Sequence, residues 1–397
     1  MKNLVFILPI ILLLCFMVGC KEEETMVERS MEEGVEVIVN HLEPYTIKGE
    51  ASQLYLDEEF IIDLERDDLA VLGITGADTF DVDSDGNIYF IIRYREDNKI
   101  FKFNRQGKFE SSFGRGGQGP GELQEPQSFR INSFNQLIIS DYRRKICIFN
   151  ENEEVIQEIK LDPKYRIATL LKNGKILVQK PILNPEEGIV EYQIILCSSD
   201  LEETQILQAV RRRPNISLAK KINPLEIYYY DFLWVISKEL IYIGNYRNEY
   251  EILIYDTEGN LIRKIRKEYD PVPVPSRLQD EILDRFEKHP MNEELKLKEK
   301  IDFPKSYPPY QFFFVDEENR LFVMTFEKGE GPKDFICDIF NPDGVFVGRM
   351  VLDNCGYWPE STIKIPLKVV AKNKRLYYLR EKENGYKELV VYRLRWE

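Results

Sequence analysis

The stretch FDVDSDGNIYFIIRYREDNKIFKFNRQGKFESSFG, residues 80–114, contains four short apolar segments separated by turns. Alternation of apolar and polar residues is typical of β-strands that bury one face. The dipeptides Asp-Gly at 85–86 and Gln-Gly at 106–107 lie at two of the turns, where glycine tolerates the positive φ that tight hairpins need. The stretch is therefore predicted to form a four-stranded antiparallel unit.

The same pattern recurs five more times, in residues 129–161, 167–207, 232–265, 312–352 and 363–396. The last copy stops before its fourth strand, whereas the segment EEFIIDLE at 58–65 is a strand without a unit of its own. That segment can pair beside ELVVYRL at 388–394 and complete the last sheet. We therefore predict an all-β, six-bladed β-propeller closed by an N-terminal strand, which leaves only short, protected edges. An open solenoid or a sandwich does not explain the incomplete last copy.

Residues 270–309 interrupt the repeat before blade five and are proline-rich at both ends. Leu278, Ile282 and Phe286 recur at helical spacing, and Ser276 stands where a residue could cap the start of a helix. The segment is predicted to be a helical insertion packed on one face of the disc. It could act as a lid or be a decoration without a separate role.

The chain begins MKNLVFILPIILLLCFMVGC, with an apolar run that is too short and too early for a membrane-spanning helix. Residues 17–20, Met-Val-Gly-Cys, resemble a bacterial lipobox, so we predict a signal peptide at 1–19 and lipidation of Cys20. Residues 20–57 are predicted to form an N-terminal extension that starts as a flexible acidic tether to about Asn40, and the propeller occupies 58–397. The lipid is predicted to anchor the protein in the cell envelope, in the outer membrane. The sequence does not decide between its periplasmic and its surface face.

The 397 residues include 54 Lys and Arg against 68 Asp and Glu, a net charge of -14. This balance argues against a nucleic-acid partner, whose phosphates require a basic face. The chain has two histidines, His41 and His289. Two are too few for a multi-histidine zinc site, and the sequence around them gives no support to a Ser-His-Asp triad. Three cysteines lie in apolar strand-like runs and are predicted to be buried thiols, but a disulfide among them or with the fourth stays open. The four are Cys147, Cys197, Cys337 and Cys355.

The glycine-rich stretch FGRGGQGPGEL, residues 113–123, contains the spacing G-x-G-x-x-G. A dinucleotide-binding loop needs a helix directly after the glycines, but here Pro120 follows and no helical period appears. We interpret the stretch as the connection from blade one to blade two. Its polar residues Arg115, Gln118 and Glu122 either pin the loop to neighbouring blades or contact a ligand.

Several of these segments together resemble the six-bladed, NHL-like β-propeller lipoproteins of diderm bacteria. The resemblance rests on GRGGQGPGEL at 114–123, LIISDYRRKICIFN at 137–150 and VEVIVNHLEP at 35–44. In NHL-type repeats an aspartate ends the second strand and organises the loop that follows. The resemblance therefore implies a structural duty for Asp141, and a propeller face could also use this residue to bind a ligand.

The sequence assigns no catalytic residue. We expect a non-catalytic binding or scaffold lipoprotein for a protein, peptide or glycan, attached to the membrane by its lipid, with Arg115, Gln118, Glu122 and Asp141 as candidate ligand contacts. The alternative is a divalent-cation-dependent hydrolase or lyase that uses channel carboxylates. No cofactor is predicted, although calcium would need only oxygen ligands. The acidic run DVDSDGN at 81–87 fits a hairpin turn better than a calcium loop, because isoleucine stands where that loop needs glutamate.

Overall fold

The computed structural model consists of six β-sheets arranged as blades around one axis. It describes residues 27–51, 53–77, 79–92, 98–142, 144–184, 186, 189–212, 225–226, 233–245, 249–288, 290, 296, 298–331, 334–352, 368–382 and 384–397. The predicted fold class is confirmed.

In blades one to five the blade's own strands are hydrogen-bonded in chain order, and the first strand of every blade lies next to the axis. Blade one comprises Thr79–Val82, Ile88–Ile91, Ile100–Phe103 and Phe109–Phe113. Blade two comprises Pro126–Ile131, Leu137–Asp141, Lys145–Phe149 and Val155–Lys160. Blade three comprises Ile167–Leu170, Ile176–Asn184, Ile189–Cys197 and Glu203–Arg212. Blade four contains Leu233–Ser237, Leu240–Asn245, Glu251–Asp256 and Leu261–Lys267. Blade five comprises Phe312–Val315, Leu321–Lys328, Phe335–Phe340 and Phe346–Leu352.

Blade six is closed by the N-terminal strand, as predicted. Its own strands Val369–Lys372, Arg375–Glu381 and Lys387–Trp396 are completed by Leu54–Asp63, which pairs antiparallel with the last of them. Gly107 of blade one has a φ of 76°, and a Cβ at this position would lie 2.7 Å from the ring of Phe60. The closing strand therefore packs directly against blade one, where a side chain would not fit.

The core is divided among the six interfaces between neighbouring blades. Each interface buries its own cluster of apolar side chains, including the interface between blade six and blade one. Cys147, Cys197 and Cys337 are buried in these clusters as free thiols, as predicted. Burial raises the pKa of the Cys147 thiol to about 12, so it is un-ionised at neutral pH. Cys355 lies outside the described residues.

Two further strands, Glu28–Glu32 and Val35–Asn40, form a hairpin that the sequence did not lead us to expect. The second of them pairs in parallel with the outer strand of blade four, Leu261–Lys267, which makes this a six-stranded sheet. Val37 and Ile38 are fully buried there. The tether predicted to reach Asn40 is therefore wrong from Glu28 onward, because apolar burial and backbone pairing hold this segment on the propeller.

Ion pairs join the N-terminal hairpin to blade four. Glu32 accepts hydrogen bonds from Arg266 Nη1 at 2.6 Å and from Lys264 Nζ at 2.9 Å, and Glu36 accepts one from Arg263 Nε at 2.8 Å. The bonds from Arg266 and Lys264 lower the pKa of Glu32 to about 2. The carboxylate stays ionised in mild acid, so these pairs persist across the physiological pH range.

The insertion before blade five contains the predicted helix, Ser276–Glu287. Leu278 and Ile282 pack with Val274, Tyr307 and Phe326, so the helix is held against the second strand of blade five. The cap predicted at Ser276 is wrong, because the preceding Pro275, with ψ at 137°, is the N-cap and Ser276 is the first helical residue. No side chain caps this helix.

The remaining elements are short. They are the helix Asp67–Ala70, the 3₁₀ turns Ile74–Gly76 and Lys298–Lys300, and the strand pairs Arg115–Gly116 with Glu122–Leu123 and Leu225–Glu226 with Ile301–Asp302. Within the described part of the chain, no helix combines the length and hydrophobicity needed to cross a membrane.

Candidate functional site

The glycine-rich connection between blades one and two is built around the carboxylate of Glu122. This carboxylate accepts a hydrogen bond from the Gly119 amide at 2.8 Å and pairs with Arg115 Nε at 2.6 Å. The bond from Gly119 is the main reason that the pKa of Glu122 lies below its usual range. A Cβ at Gly117 would collide with the same carboxylate, so the backbone must approach it without a side chain.

A second carboxylate anchors this loop to blade two. Glu158 Oε1 accepts hydrogen bonds from the Gly121 amide and from Lys145 Nζ, both at 2.7 Å. Lys145 Nζ also donates to the Gly119 carbonyl at 3.0 Å. Sequence reasoning missed Glu158, because it follows Gly121 by 37 residues and no local pattern connects the two.

Asp141 organises the next part of the connection. Its Oδ1 accepts hydrogen bonds from the amides of Gln124 at 3.1 Å and Glu125 at 2.5 Å, and the residue is buried. From blade one, Asn98 Nδ2 donates to the carbonyls of Leu123 at 2.8 Å and Gln124 at 3.0 Å. These contacts give Asp141 a structural role in the connection between blades one and two, whereas the NHL resemblance implies a role in the loop that follows its own strand.

We expect Asp141→Ala to lower the free energy of unfolding by about 2–4 kcal/mol, because two backbone amides lose a buried, charged acceptor. The measurement is chemical denaturation followed by circular dichroism. Gln118→Ala, in the exposed part of the same loop, serves as the control, with an expected change within about 0.5 kcal/mol. If both variants unfold at the wild-type denaturant concentration, Asp141 has no structural duty and its role as a ligand contact gains weight.

The first strands of all six blades enclose a cavity of about 460 Å³ on the propeller axis. Its volume is in the usual range for small-molecule sites. Its lining consists of Thr79, Asp81, Ser128, Phe129, Arg130, Ile167, Thr169, Leu233, Trp234, Val235, Ile236, Phe312, Phe313, Phe314, Val315, Lys368, Val369, Val370 and Ala371. The lining is mainly aliphatic and aromatic, with a few polar side chains from blades one, two, three and six.

Among the described residues that line this cavity, three are charged, namely Asp81, Arg130 and Lys368. Asp81 Oδ2 accepts a hydrogen bond from the Ile131 amide at 2.8 Å and lies 3.9 Å from Lys368 Nζ. Lys368 Nζ also donates to the Phe129 carbonyl at 3.1 Å and lies 5.6 Å from the centre of the Phe129 ring. Asp81 and Lys368 therefore form an ion pair in the lining of the cavity.

The acidic run at 81–87 forms a hairpin turn, as predicted. Asp83 Oδ1 accepts hydrogen bonds from the amides of Asp85 at 2.9 Å and Asn87 at 2.8 Å, whereas Asp81 bonds across to blade two. Asp81 and Asp83, which a calcium loop would bring together around the ion, therefore have separate hydrogen-bond partners. Across the described residues, no group of three or more His, Cys, Asp or Glu side chains is placed to hold a metal ion.

The aromatic run at 312–314 serves both the core and the cavity. All three phenylalanines are buried, and each also lines the channel. The second run, 228–230, lies outside the described residues, as does His289. His41 is not among the described residues that line the cavity, and its ring nitrogens lie 3.7 Å from a carboxylate oxygen of Glu28 and 3.2 Å from one of Glu268.

The structure brings Arg115 and Glu122 together, with Asp141 nearby in the same connection, and leaves Gln118 exposed. None of these four is among the described residues that line the central cavity. Sequence reasoning missed Arg130, although an arginine inside the apolar first strand of a blade was a usable signal. Cys20 lies outside the described residues, so its lipidation stays a prediction.

Residues 50–205 match a family model described as a 6-bladed beta-propeller, DUF5128. A crystal structure of a DUF4221 family member from Bacteroides vulgatus ATCC 8482 is similar with a TM-score of 0.52 and 13% identity, over 88% of this chain and 99% of that chain. A protein of Bacteroides fragilis NCTC 9343, named as exported, has a TM-score of 0.48 and 12% identity, over 91% of this chain and 99% of that one. No curated protein matches the sequence. The family match thus agrees with the six-bladed propeller fold.

Proposed function

We propose that this protein is a non-catalytic binding lipoprotein of the cell envelope, of the NHL-like propeller type, that takes its ligand in the central cavity. The observation that carries the proposal is the cavity itself, where aromatic and aliphatic walls from six blades surround a few polar groups. Such a combination is typical of a binding site for an organic ligand. A peptide, protein segment or glycan would be larger than this cavity, so only part of the ligand would enter it.

The alternative, a hydrolase or lyase that uses a divalent cation and channel carboxylates, has less support. Divalent cations of this kind take several oxygen ligands. Among the described lining residues the only carboxylate is Asp81, whose two oxygens already accept bonds from the amides of Val82 and Ile131. A cation there would compete with Arg130 and Lys368 for the same charge.

Binding in the channel is tested by photo-crosslinking in intact cells. A diazirine amino acid at Leu233, which lines the cavity, is expected to capture a ligand on irradiation, detected as a mass adduct on the purified protein. The same amino acid at Val71, which is 82% exposed, is the control and should give no such adduct. Equal adducts at both positions, or none at Leu233, would contradict the proposal.

The membrane anchor is tested separately with Cys20→Ser. Without the thiol that carries the lipid, the protein is expected to move from the membrane fraction to the soluble fraction of cell lysates. Immunoblotting of the two fractions measures this, with Cys15→Ser as the matched control that should stay with the membrane. Retention of the Cys20→Ser protein in the membrane would reject lipid attachment at this residue. Protease shaving of intact cells then distinguishes a periplasmic from a surface location.

A further inference from the structure

Arg130 has a buried nitrogen without a hydrogen-bond partner. The residue lies near the end of the first strand of blade two, within the cavity lining. Its Nη1 atom is buried, and no described residue accepts a hydrogen bond from it. A guanidinium presents five N–H donors in a planar fork, so an unused nitrogen beside a cavity has room and geometry for an added acceptor.

The other charges of the lining do not account for Arg130. Asp81 supplies the nearby negative charge that favours the guanidinium of Arg130. Its oxygens, however, already accept hydrogen bonds from the amides of Val82 and Ile131, and one of them pairs with Lys368. The described lining residues therefore carry two cations and one carboxylate, a net charge of +1 in a protein whose overall charge is -14. A local positive site within an acidic protein attracts an anion.

Keeping a partly buried charge whose Nη1 atom has no hydrogen-bond partner is costly for folding. Burial lowers the pKa of Arg130 to about 10, which still leaves it protonated at neutral pH. The lining of the cavity is mainly apolar. A methionine or leucine would therefore be the residue expected at position 130 from packing alone. A residue that the fold keeps against this cost fits a role in binding.

We propose that Arg130 binds the carboxylate of an organic acid whose apolar body packs against aromatic residues of the lining, which include Phe129, Trp234 and Phe312. This inference rests on the proposed function and specifies its ligand class. A guanidinium binds a carboxylate through paired, charge-assisted hydrogen bonds. The carboxylate could belong to a free small acid or to the C-terminus of a peptide, since the chemistry at Arg130 is the same.

The charge balance favours a single carboxylate over a phosphate. One negative charge neutralises the +1 of the lining, whereas a phosphate dianion would leave an uncompensated charge beside Asp81 in an apolar cavity. The walls also favour an apolar body, because they offer few groups to hydrogen-bond a heavily hydroxylated ligand. The expected ligand is therefore amphipathic, with one charged end.

The test uses 3-phenylpropionate as the probe and its neutral amide, 3-phenylpropionamide, as the matched control. Binding is measured by the fluorescence of Trp234, with Trp234→Phe to identify the signal among the three tryptophans. We expect the acid to bind at least tenfold more tightly than the amide. Arg130→Met should remove this preference and Arg130→Lys should reduce it, because lysine keeps the charge but loses the paired donors.

Arg320→Met, a substitution outside the cavity lining, is expected to leave the preference unchanged. A short peptide ending in phenylalanine, with a free or an amidated C-terminus, distinguishes the two sources of the carboxylate. Tighter binding of the free-ended peptide than of 3-phenylpropionate assigns a peptide terminus, and the reverse order assigns a small acid. Both results support the inference.

A second readout does not depend on the probe. If Arg130 is held for binding, Arg130→Met without ligand should raise Tm by about 1–3 °C, since a partly buried charge whose Nη1 atom has no hydrogen-bond partner is removed. A lower Tm, or equal affinity for acid and amide in the wild type, would overturn the role of Arg130. In that case an adduct at Leu233 would still support the proposed function, whereas the absence of that adduct would remove both.

Discussion

Ile62→Ala is expected to lower the free energy of unfolding by about 2–5 kcal/mol, the usual cost of truncating a fully buried aliphatic side chain. Ile62 is 1% exposed in the strand that closes the ring, and it packs in the cluster shared by blades six and one. Because this strand joins the two ends of the chain, a cavity there weakens the closure of the whole ring. The measurement is urea denaturation followed by circular dichroism.

The adjacent Ile61 provides the matched control. It has the same side chain in the same strand but faces outward, with 37% of its surface exposed. Ile61→Ala should therefore cost less than about 1 kcal/mol, since little apolar surface leaves the core. Equal costs for the two substitutions would show that the closing strand does not pack against blade one in solution.

The second large effect is expected at Asn40, the last residue of the N-terminal hairpin. This fully buried amide donates from Nδ2 to the carbonyls of Arg266 at 3.1 Å and Gly344 at 3.0 Å, and its Oδ1 accepts from the Phe346 amide at 2.8 Å. It thus joins the N-terminal hairpin to blades four and five. Asn40→Ala should cost about 2–5 kcal/mol, because two buried backbone groups and one partly buried carbonyl lose their partner.

Asn173 is the control for this substitution. Its Nδ2 donates to Thr257 O and Glu258 Oε1, both at 3.0 Å, and its Oδ1 accepts from the Lys175 amide at 3.1 Å, but the residue is exposed. Water can replace these bonds, so Asn173→Ala should cost less than about 1 kcal/mol. Thermal unfolding of the two variants makes the comparison. A smaller loss for Asn40→Ala than for Asn173→Ala would contradict the burial argument.

The sequence was sufficient to predict the blades because each is local. A unit of about 35 residues contains its own alternation of apolar and polar positions and its own turn residues, and hydrogen bonds between consecutive strands need nothing else. The closure could also be predicted, since the last copy lacked a strand and residues 58–65 had no partner. The helix of the insertion followed from apolar spacing, although its start was misplaced by one residue at Pro275.

The N-terminal hairpin shows where local patterns stop being informative. The alternation of VEVIV at 35–39 is visible in the sequence, but its partner strand begins more than 220 residues later. Parallel pairing with Leu261–Lys267 depends on which edge of the finished propeller is open. An acidic segment near a predicted lipid anchor was therefore interpreted as a tether.

The candidate site divides in the same way. The sequence alone determined that 113–123 is a connection between blades, because proline and the lack of a helical period exclude a phosphate loop. Only the tertiary structure showed that Arg115 and Glu122 are paired within that connection and that Arg130 faces a shared cavity. The physical reason is that strand pairing within a blade is local, whereas the channel assembles six first strands from positions scattered between residues 79 and 372. The charge of the cavity, its apolar lining and the unpaired Nη1 of Arg130 therefore exist only when the ring has closed.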